Sequence, residues 1–490
     1  MQRKNGEEPH VDAERPGIDA SVDDFAERNG VREEEIEEGG DEERRTAPRD
    51  DVRADVASIH GPYYRARMRA AAEPGVVITG IGVVSPFGVG RERYWQHVSH
   101  GCSGISKITQ FNVSEWPCQV AAAVPPVSIA DAPPLEGDDE ENGRSDPKRY
   151  SRAALFGVIA GREAWADAGL RAGEPGAGVI IGTGGGGIDV GERQYQDFFT
   201  TGGRHVTPYA IAVGICGMVS SEVSISLGLR GPSHVLSCGC TSSTDAIGYA
   251  TALIRSGEHD VMLSGGTDGC VLPGMIFGFA RMRAVSTRYN ERPAAASRPF
   301  DRDRDGFVLG EGAWMLVLER EDRAQARGAT CYARIEGYGS TCDAYHRVQM
   351  DPDGDEIVRC IDTALRKSGR RHEEIGYVNY HGTSTQLNDA IESRCVRRVF
   401  GGHADRVPGS STKSMIGHPQ GASGAAGVAA TALGMSRGML PPTINLDNPD
   451  PACDMDFIPH TARPADIEAA LCNCLGFGSK NSALVLGRVR

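Results

Sequence analysis

Val76-Val77-Ile78-Thr79-Gly80-Ile81-Gly82-Val83-Val84 is a β-branched run interrupted by two glycines. Side chains branched at Cβ favour extended backbone, and a continuous apolar run of this length reads as a buried strand leading into a turn. Order is expected to begin here. Downstream, residues 178–181, 261–265, 313–318, 376–380 and 482–486 read as further short strands, and helix-length stretches such as 150–168 separate them. Strands alternating with helices predict an α/β fold. A stretch rich in Pro and acids, 125–147, reads as a surface insertion. A boundary between two α/β halves fits near residues 320–330, although the letters themselves show no internal repeat.

The chain has 490 residues, enough for one large or two fused domains. Its formal charge of −14 is unevenly placed, because residues 1–60 hold 9 Lys and Arg against 19 Asp and Glu, a net of −10. With few large apolar residues and the run Glu33-Glu34-Glu35-Ile36-Glu37-Glu38, this part is expected to be an acidic, disordered extension over 1–73. Halves over 74–325 and 326–490 follow it. The N-terminus has neither the apolar core of a signal peptide nor the acid-poor character of a transit peptide, so a cytoplasmic location is expected. No apolar run approaches the roughly 18 residues of a membrane span, and the net negative charge disfavours nucleic acid as a partner. Thirteen cysteines, an odd number at low density, read mostly as buried thiols. The pairs Cys238/Cys240 and Cys472/Cys474 have CxC spacing, which is not the usual spacing of a structural zinc site, so no metal is expected.

Two loops imitate ligand motifs. Gly182-Thr183-Gly184-Gly185-Gly186-Gly187 matches GxGxxG, but no acidic residue sits about 20 positions on and no Gly-Lys-Ser/Thr follows. Asp301-Arg302-Asp303-Arg304-Asp305-Gly306 starts like a calcium loop, yet Glu311 falls one position short of the required ligand and two arginines offset the charge. A third segment, Asp351-Pro352-Asp353-Gly354-Asp355, reads as a turn.

Ser237-Cys238-Gly239-Cys240-Thr241-Ser242-Ser243 carries the strongest chemical signal. It follows a short apolar segment and precedes a stretch with the composition of a buried helix, which places Cys240 at a strand-to-helix turn. The partial positive charge of a helix N-terminus is expected to lower the thiol pKa from about 8.5. His381, just after a predicted strand, and His418 lie in similar Gly/Ser/Thr-rich settings. A nucleophile, hydrogen-bond donors and a nearby cation are what thioester chemistry needs.

These segments resemble a family. Cys240-Thr241-Ser242, His381-Gly382-Thr383-Ser384-Thr385, Lys413-Ser414-Met415-Ile416-Gly417-His418 and Gly476-Phe477-Gly478 are similar to the active-site motifs of elongating β-ketoacyl-[acyl-carrier-protein] synthases of the KAS I/II type. The resemblance runs from Val76 to the C-terminus and includes Arg298 to Gly312 and Pro441 to Leu446. It implies a thiolase-like fold, five-layered αβαβα with two similar halves, and a homodimer. It also implies that Cys240 takes the acyl chain from acyl carrier protein as a thioester. His381 and His418 would bind the thioester carbonyl of malonyl-carrier protein while carbon dioxide leaves, and backbone N–H groups of Cys240 and Phe477 would form the oxyanion hole. Lys413 and Glu311 match a supporting ion pair. Val158, Thr383, Thr385, Phe477, Ser479 and Lys480 fall at substrate-lining positions. No cofactor is implied beyond the phosphopantetheine arm of the carrier.

Two histidines plus a lysine separate this pattern from the Cys-His-Asn of initiating synthases and the second cysteine of thiolases. Cys240 argues against a non-catalytic chain-length-factor subunit, which remains the alternative, and a polyketide or specialised-lipid synthase would share the chemistry. One departure stands out. The family continues Gly-Phe-Gly with Gly-Thr-Asn, whereas here Ser479-Lys480-Asn481 follows, so a stiffer or differently hinged segment after Phe477 is expected, with a cation beside the pantetheine entrance.

Overall fold

The computed structural model describes residues 73–138 and 150–489. Residues 1–72 of the N-terminal extension and the C-terminal end of the 125–147 insertion, from 139 on, therefore lie outside the described residues. The described part of that insertion is mostly exposed, as expected of a surface segment, and is pinned where Leu135 is buried and Arg162 donates to Pro133 O.

β1 (Val76–Ser85) is buried at every position. Its glycines permit that burial: a Cβ would stand 2.1 Å from Ala164 O at Gly80 and 1.9 Å from Ala160 O at Gly82. The backbone of α1 (Arg152–Asp167) thus lies directly on the strand. Ser151 starts this helix, its Oγ accepting from Ala154 N–H at 3.2 Å.

Four more strands complete the first half: β2 (Gly178–Gly182), β3 (Ser233–Leu236), β4 (Val261–Asp268) and β5 (Gly312–Arg320). They are ordered β3-β2-β4-β5-β1, parallel from β3 through β4 and antiparallel from β4 to β1. The second half contains β6 (Ala333–Cys342), β7 (Tyr377–Asn379), β8 (Gly409–Ser410), β9 (Ala469–Gly476) and β10 (Lys480–Gly487). Its order is β8-β7-β9-β10-β6, with the same sequence of parallel and antiparallel pairs. Numbered along the chain within each half, both sheets read 3-2-4-5-1. The duplication that the letters hide is explicit in the strand order. The sheets touch edge to edge only where Val77 pairs with Arg334 and Ile78 with Ala333.

Helix patterning assigns the layers. α1 and α2 (Met218–Leu227) pack on the first sheet. α3 (Ser242–Arg255) and α6 (Ser423–Arg437) lie between the sheets, and α6 is buried without a break from Ser423 to Met435. A helix apolar on all sides belongs in a core. By contrast α4 (Asp355–Ser368) buries only Ile357, Cys360, Ile361, Ala364 and Leu365, a single stripe at i, i+3, i+4, i+7 and i+8. It packs on the second sheet together with α5 (Gln386–Phe400) as an outer layer. The result is the expected αβαβα arrangement. At its centre α3 and α6 approach so closely that a Cβ on Gly424 would meet Thr244 Oγ1 at 1.9 Å. Both middle helices start beside the ends of strands, and chemistry collects there.

Candidate active site

Cys240 sits where β3 hands over to α3. Gly239 turns the chain with φ +72°, and Ser242 closes the turn, its Oγ accepting from Cys238 N–H at 2.8 Å and donating to Gly239 O at 2.6 Å. Cys240 is left two residues ahead of the helix, with 4% of its surface exposed. The expected fall in its pKa is corrected by this burial. Removal from water pushes the thiol up to about 11, against the downward pull of Phe477 N–H and the Lys413 cation. A helix terminus helps an anion only modestly, so burial wins.

His418 Nε2 lies 3.2 Å from Cys240 Sγ. The ring is fixed from three sides: the His418 backbone N–H donates to Val308 O at 2.7 Å, Nδ1 stands 2.8 Å from Ser423 Oγ, and Phe307 packs edge-on at 5.2 Å. A Ser423 hydroxyl that donates to Nδ1 leaves the ring proton on Nε2, aimed at the sulfur.

His381 stands two residues after the end of β7. Both oxygens of the buried Glu392 accept from this turn, one from His381 N–H and one from Gly382 N–H, each at 2.8 Å. The two imidazoles stand nearly perpendicular with centroids 5.2 Å apart. Ligand-type atoms of Cys240, His381 and His418 lie within 4.8 Å of one another, and this is the one such cluster among the described residues that could hold a metal ion. Burial pulls both imidazole pKa values well below the usual histidine range, with the Lys413 cation acting in the same direction. Both rings are therefore neutral near pH 7.

Lys413 opens the short helix Lys413–Ile416 and is itself buried. Burial lowers its pKa while Cys474, Glu392 and Cys240 act to raise it. The expected Lys413–Glu311 pair does not form. Arg152, in the first turn of α1, reaches Glu311 through Nε at 2.9 Å and also through Nη2, while Val124 N–H donates to the same carboxylate at 2.9 Å. With its oxygens occupied there, Glu311 is no partner for the lysine, and the carboxylate beside Lys413 is Glu392.

Of these groups Cys240, His381 and His418 line a cavity of about 290 Å³. Its walls include Thr383, Thr385 and Phe477 as expected, together with Phe307, Met350 and Leu387. The two threonine hydroxyls are 2.9 Å apart, and Thr385 Oγ1 also caps α5, accepting from Asn388 N–H at 3.3 Å.

The family is decided by comparison. The Beta-ketoacyl synthase N-terminal domain matches residues 73–324, and the Beta-ketoacyl synthase C-terminal domain matches residues 332–447. The chain belongs to the β-ketoacyl synthase family. Among its relatives, the 3-oxoacyl-[acyl-carrier-protein] synthase 2 of Coxiella burnetii is 41% identical over 420 residues, 84% of this chain and 98% of the relative. That of Synechocystis is 40% identical over 412 residues, 84% and 97% of the two chains. Solved structures agree. The ishigamide ketosynthase/chain length factor has a TM-score of 0.77 at 33% identity, covering 86% of this chain and all of the other. A β-ketoacyl synthase from Burkholderia phymatum gives the same score and identity over 85% of this chain and all of its own. A type II polyketide ketosynthase, solved with its acyl-carrier protein, scores 0.75 at 31% identity, covering 85% of this chain and all of the other.

Not every expected residue reaches the site of this β-ketoacyl synthase. Val158 is fully buried on α1 and does not line the cavity, because it belongs to the core cluster that joins this helix to the first sheet. Ser479 and Lys480 are likewise absent from the cavity wall: Ser479 turns into neighbouring backbone, and Lys480 begins β10 opposite Cys342. Three residues were missed. Glu392 and Ser423 lie in helices whose letters show only ordinary polar positions. Cys474 was visible only as half of a CxC pair, yet its thiol donates to Cys240 O at 3.0 Å and faces His381 Nδ1 at 3.6 Å. The ligand look-alikes are filled internally. Buried Asp268 accepts from Gly184 N–H, Gly185 N–H and Gly421 N–H, holding the glycine loop where a phosphate would otherwise be cradled. Asp301 binds Arg298 and the N–H groups of Asp303, Asp447 and Asn448.

A neutral thiol beside a neutral imidazole has a measurable signature. The rate at which iodoacetamide blocks Cys240 should climb about tenfold per pH unit from pH 7 to 10, since only thiolate reacts and its fraction rises until pH reaches the raised pKa. A rate that levels off by pH 7 would mean a thiolate–imidazolium pair.

Proposed function

We propose that Cys240 is the acyl-carrying nucleophile of an elongating 3-oxoacyl-[acyl-carrier-protein] synthase, and that His381 and His418 activate malonyl-carrier protein for decarboxylative condensation. The observation that carries this reading is the placement of Cys240 Sγ 3.2 Å from His418 Nε2, with the second neutral imidazole beside it, in the wall of one cavity. In the first half-reaction the sulfur of Cys240 bonds to the acyl carbon, the carrier's C–S bond breaks, and the thiol proton leaves on the pantetheine sulfur. Backbone N–H groups of Cys240 and Phe477 stabilise the oxyanion, a role supported by the Phe477 N–H directed at Sγ. Losing one such donor typically costs about 10²–10³ in rate.

Malonyl-carrier protein then places its thioester oxygen against the two imidazoles, each donating a ring N–H. Carbon dioxide leaves, the electron pair remains as an enolate, and the enolate carbon bonds to the acyl carbon. The bond to Cys240 sulfur breaks and the departing thiolate takes a proton from water. Neutral imidazoles suit this task because they donate hydrogen bonds without giving the proton away. Lys413 adds a positive field that serves the enolate and disfavours a divalent ion in the same place, so we infer that no metal takes part and that phosphopantetheine arrives on the carrier.

A polyketide-type substrate is the second reading, favoured by the likeness to polyketide ketosynthases. A homodimer is supported by the open edge of β3 and by Phe199 and Ile211, 79% and 75% exposed on neighbouring helices; its test is the mass in solution. A cytoplasmic location is supported by thirteen cysteines of which none is paired. No described helix is long and apolar enough to cross a membrane.

The test is peptide mapping after exposure to acyl-carrier protein. Acylation is expected on Cys240 alone among the thirteen cysteines, and an acyl group on Cys238, or on none, would sink the assignment.

A further inference from the structure

The turn between β9 and β10 holds a serine in a conformation that L side chains rarely adopt. Ser479 has φ +63° and is 4% exposed. Its side chain accounts for the geometry. Oγ donates to His346 O at 2.8 Å and accepts from His346 N–H at 3.1 Å and Tyr345 N–H at 3.4 Å. Backbone bonds flank the hydroxyl: Gly478 N–H donates to Arg347 O at 3.0 Å, and Asp343 N–H donates to Ser479 O at 2.8 Å. The turn is therefore sewn to the segment after β6.

That segment forms part of the cavity wall. His346 Nδ1 accepts from Val348 N–H at 3.1 Å and from Gln349 N–H at 3.0 Å, and Val348, Gln349 and Met350 line the cavity. Phe477, two residues before Ser479, lines it as well. A continuous chain of hydrogen bonds thus runs from Ser479 Oγ through His346 to one part of the wall, while the backbone of the same turn carries another. Both parts are held at one spacing.

We propose that Ser479 is a specificity-determining positioning residue, whose hydroxyl clamps residues 343–350 to the Phe477 turn and so sets the width of the path by which acyl chains reach Cys240. Ser479 touches no substrate; it acts through Phe477 on one side and through Val348, Gln349 and Met350 on the other. The inference rests on Cys240 as the acylated residue.

Ser479→Gly is the informative variant, because glycine adopts the same φ without strain and only the hydroxyl and Cβ are lost. Amide exchange at Tyr345 and His346 is expected to rise roughly 5- to 10-fold, the size of effect that follows loss of an ordinary hydrogen bond. In parallel, the rate of Cys240 acylation by hexadecanoyl-carrier protein relative to butanoyl-carrier protein should rise at least about threefold, because long chains gain most from a wider passage. Unchanged exchange at the two amides would overturn the clamp. Faster exchange with an unchanged ratio would overturn its role in selecting chains. Wild-type protein that accepts neither chain would overturn the nucleophile assignment and this inference together, whereas acceptance of the short chain alone leaves the assignment standing and leaves the ratio in the variant to decide the clamp.

Discussion

Cys240→Ala is expected to lose condensation down to background, a fall of at least about 10⁴-fold, when product is followed by mass spectrometry from acyl- and malonyl-carrier protein. A methyl group cannot form the thioester, and no neighbouring thiol can replace it: Cys474 is committed to Cys240 O, and Cys238 carries its sulfur outside the pair of imidazoles. The variant also separates the two half-reactions. Its histidines remain in place, held by Ser423 and Glu392 rather than by the cysteine, so carbon dioxide release from malonyl-carrier protein should persist. Loss of both activities would mean that Cys240 organises the histidine pair. A wild-type protein that never condenses would return the chain to the chain-length-factor alternative.

Replacing Glu392 should have the second largest effect. Its carboxylate accepts the N–H groups of His381 and Gly382 in full burial. Glu392→Ala orphans both donors, at about 1–3 kcal/mol each, so a loss of roughly 2–5 kcal/mol in unfolding free energy is expected. Released from its turn, His381 also loses its aim, and condensation should fall about 10²-fold. Glu392→Gln keeps one acceptor oxygen and should lie between. Its pH dependence has a definite sign. Burial raises the Glu392 pKa to about 7 from an ordinary 4.5, so the folded protein binds more protons than the unfolded chain between those values. The contribution of this group is fully present below pH 4.5 and declines as pH rises through 7. Chemical denaturation at pH 5 and pH 8 should therefore show wild type losing stability relative to Glu392→Gln at the higher pH, and a constant difference would rule out the raised pKa.

Strands buried on both faces were legible where composition alone carries the signal: β1 and β5 are apolar runs close to their expected bounds, whereas β4 was read only over 261–265 and continues through Gly266, Thr267 and Asp268. β6 was not read as a strand. Its residues alternate between buried and half-exposed, with Arg334 and Glu336 on the wetter face, and such a pattern shows no apolar run. β9 was obscured by its cysteines, whose small thiols fill the space under α6 and behind Cys240.

The residue types proposed for the chemistry were legible in the sequence alone, because thioester exchange and enolate stabilisation demand a thiol and N–H donors, and the loops around Cys240, His381 and His418 offer them. Pairings and pKa values were decided only by the tertiary structure. Glu311 and Glu392 are both acids in polar surroundings, and nothing in their neighbours along the chain tells that one would meet Arg152 and the other the His381 turn. The direction of the Cys240 shift depends on how completely the folded layers remove water, which outweighs the local helix terminus. Contacts between residues distant in the chain, and the desolvation they share, exist only once the two halves have packed.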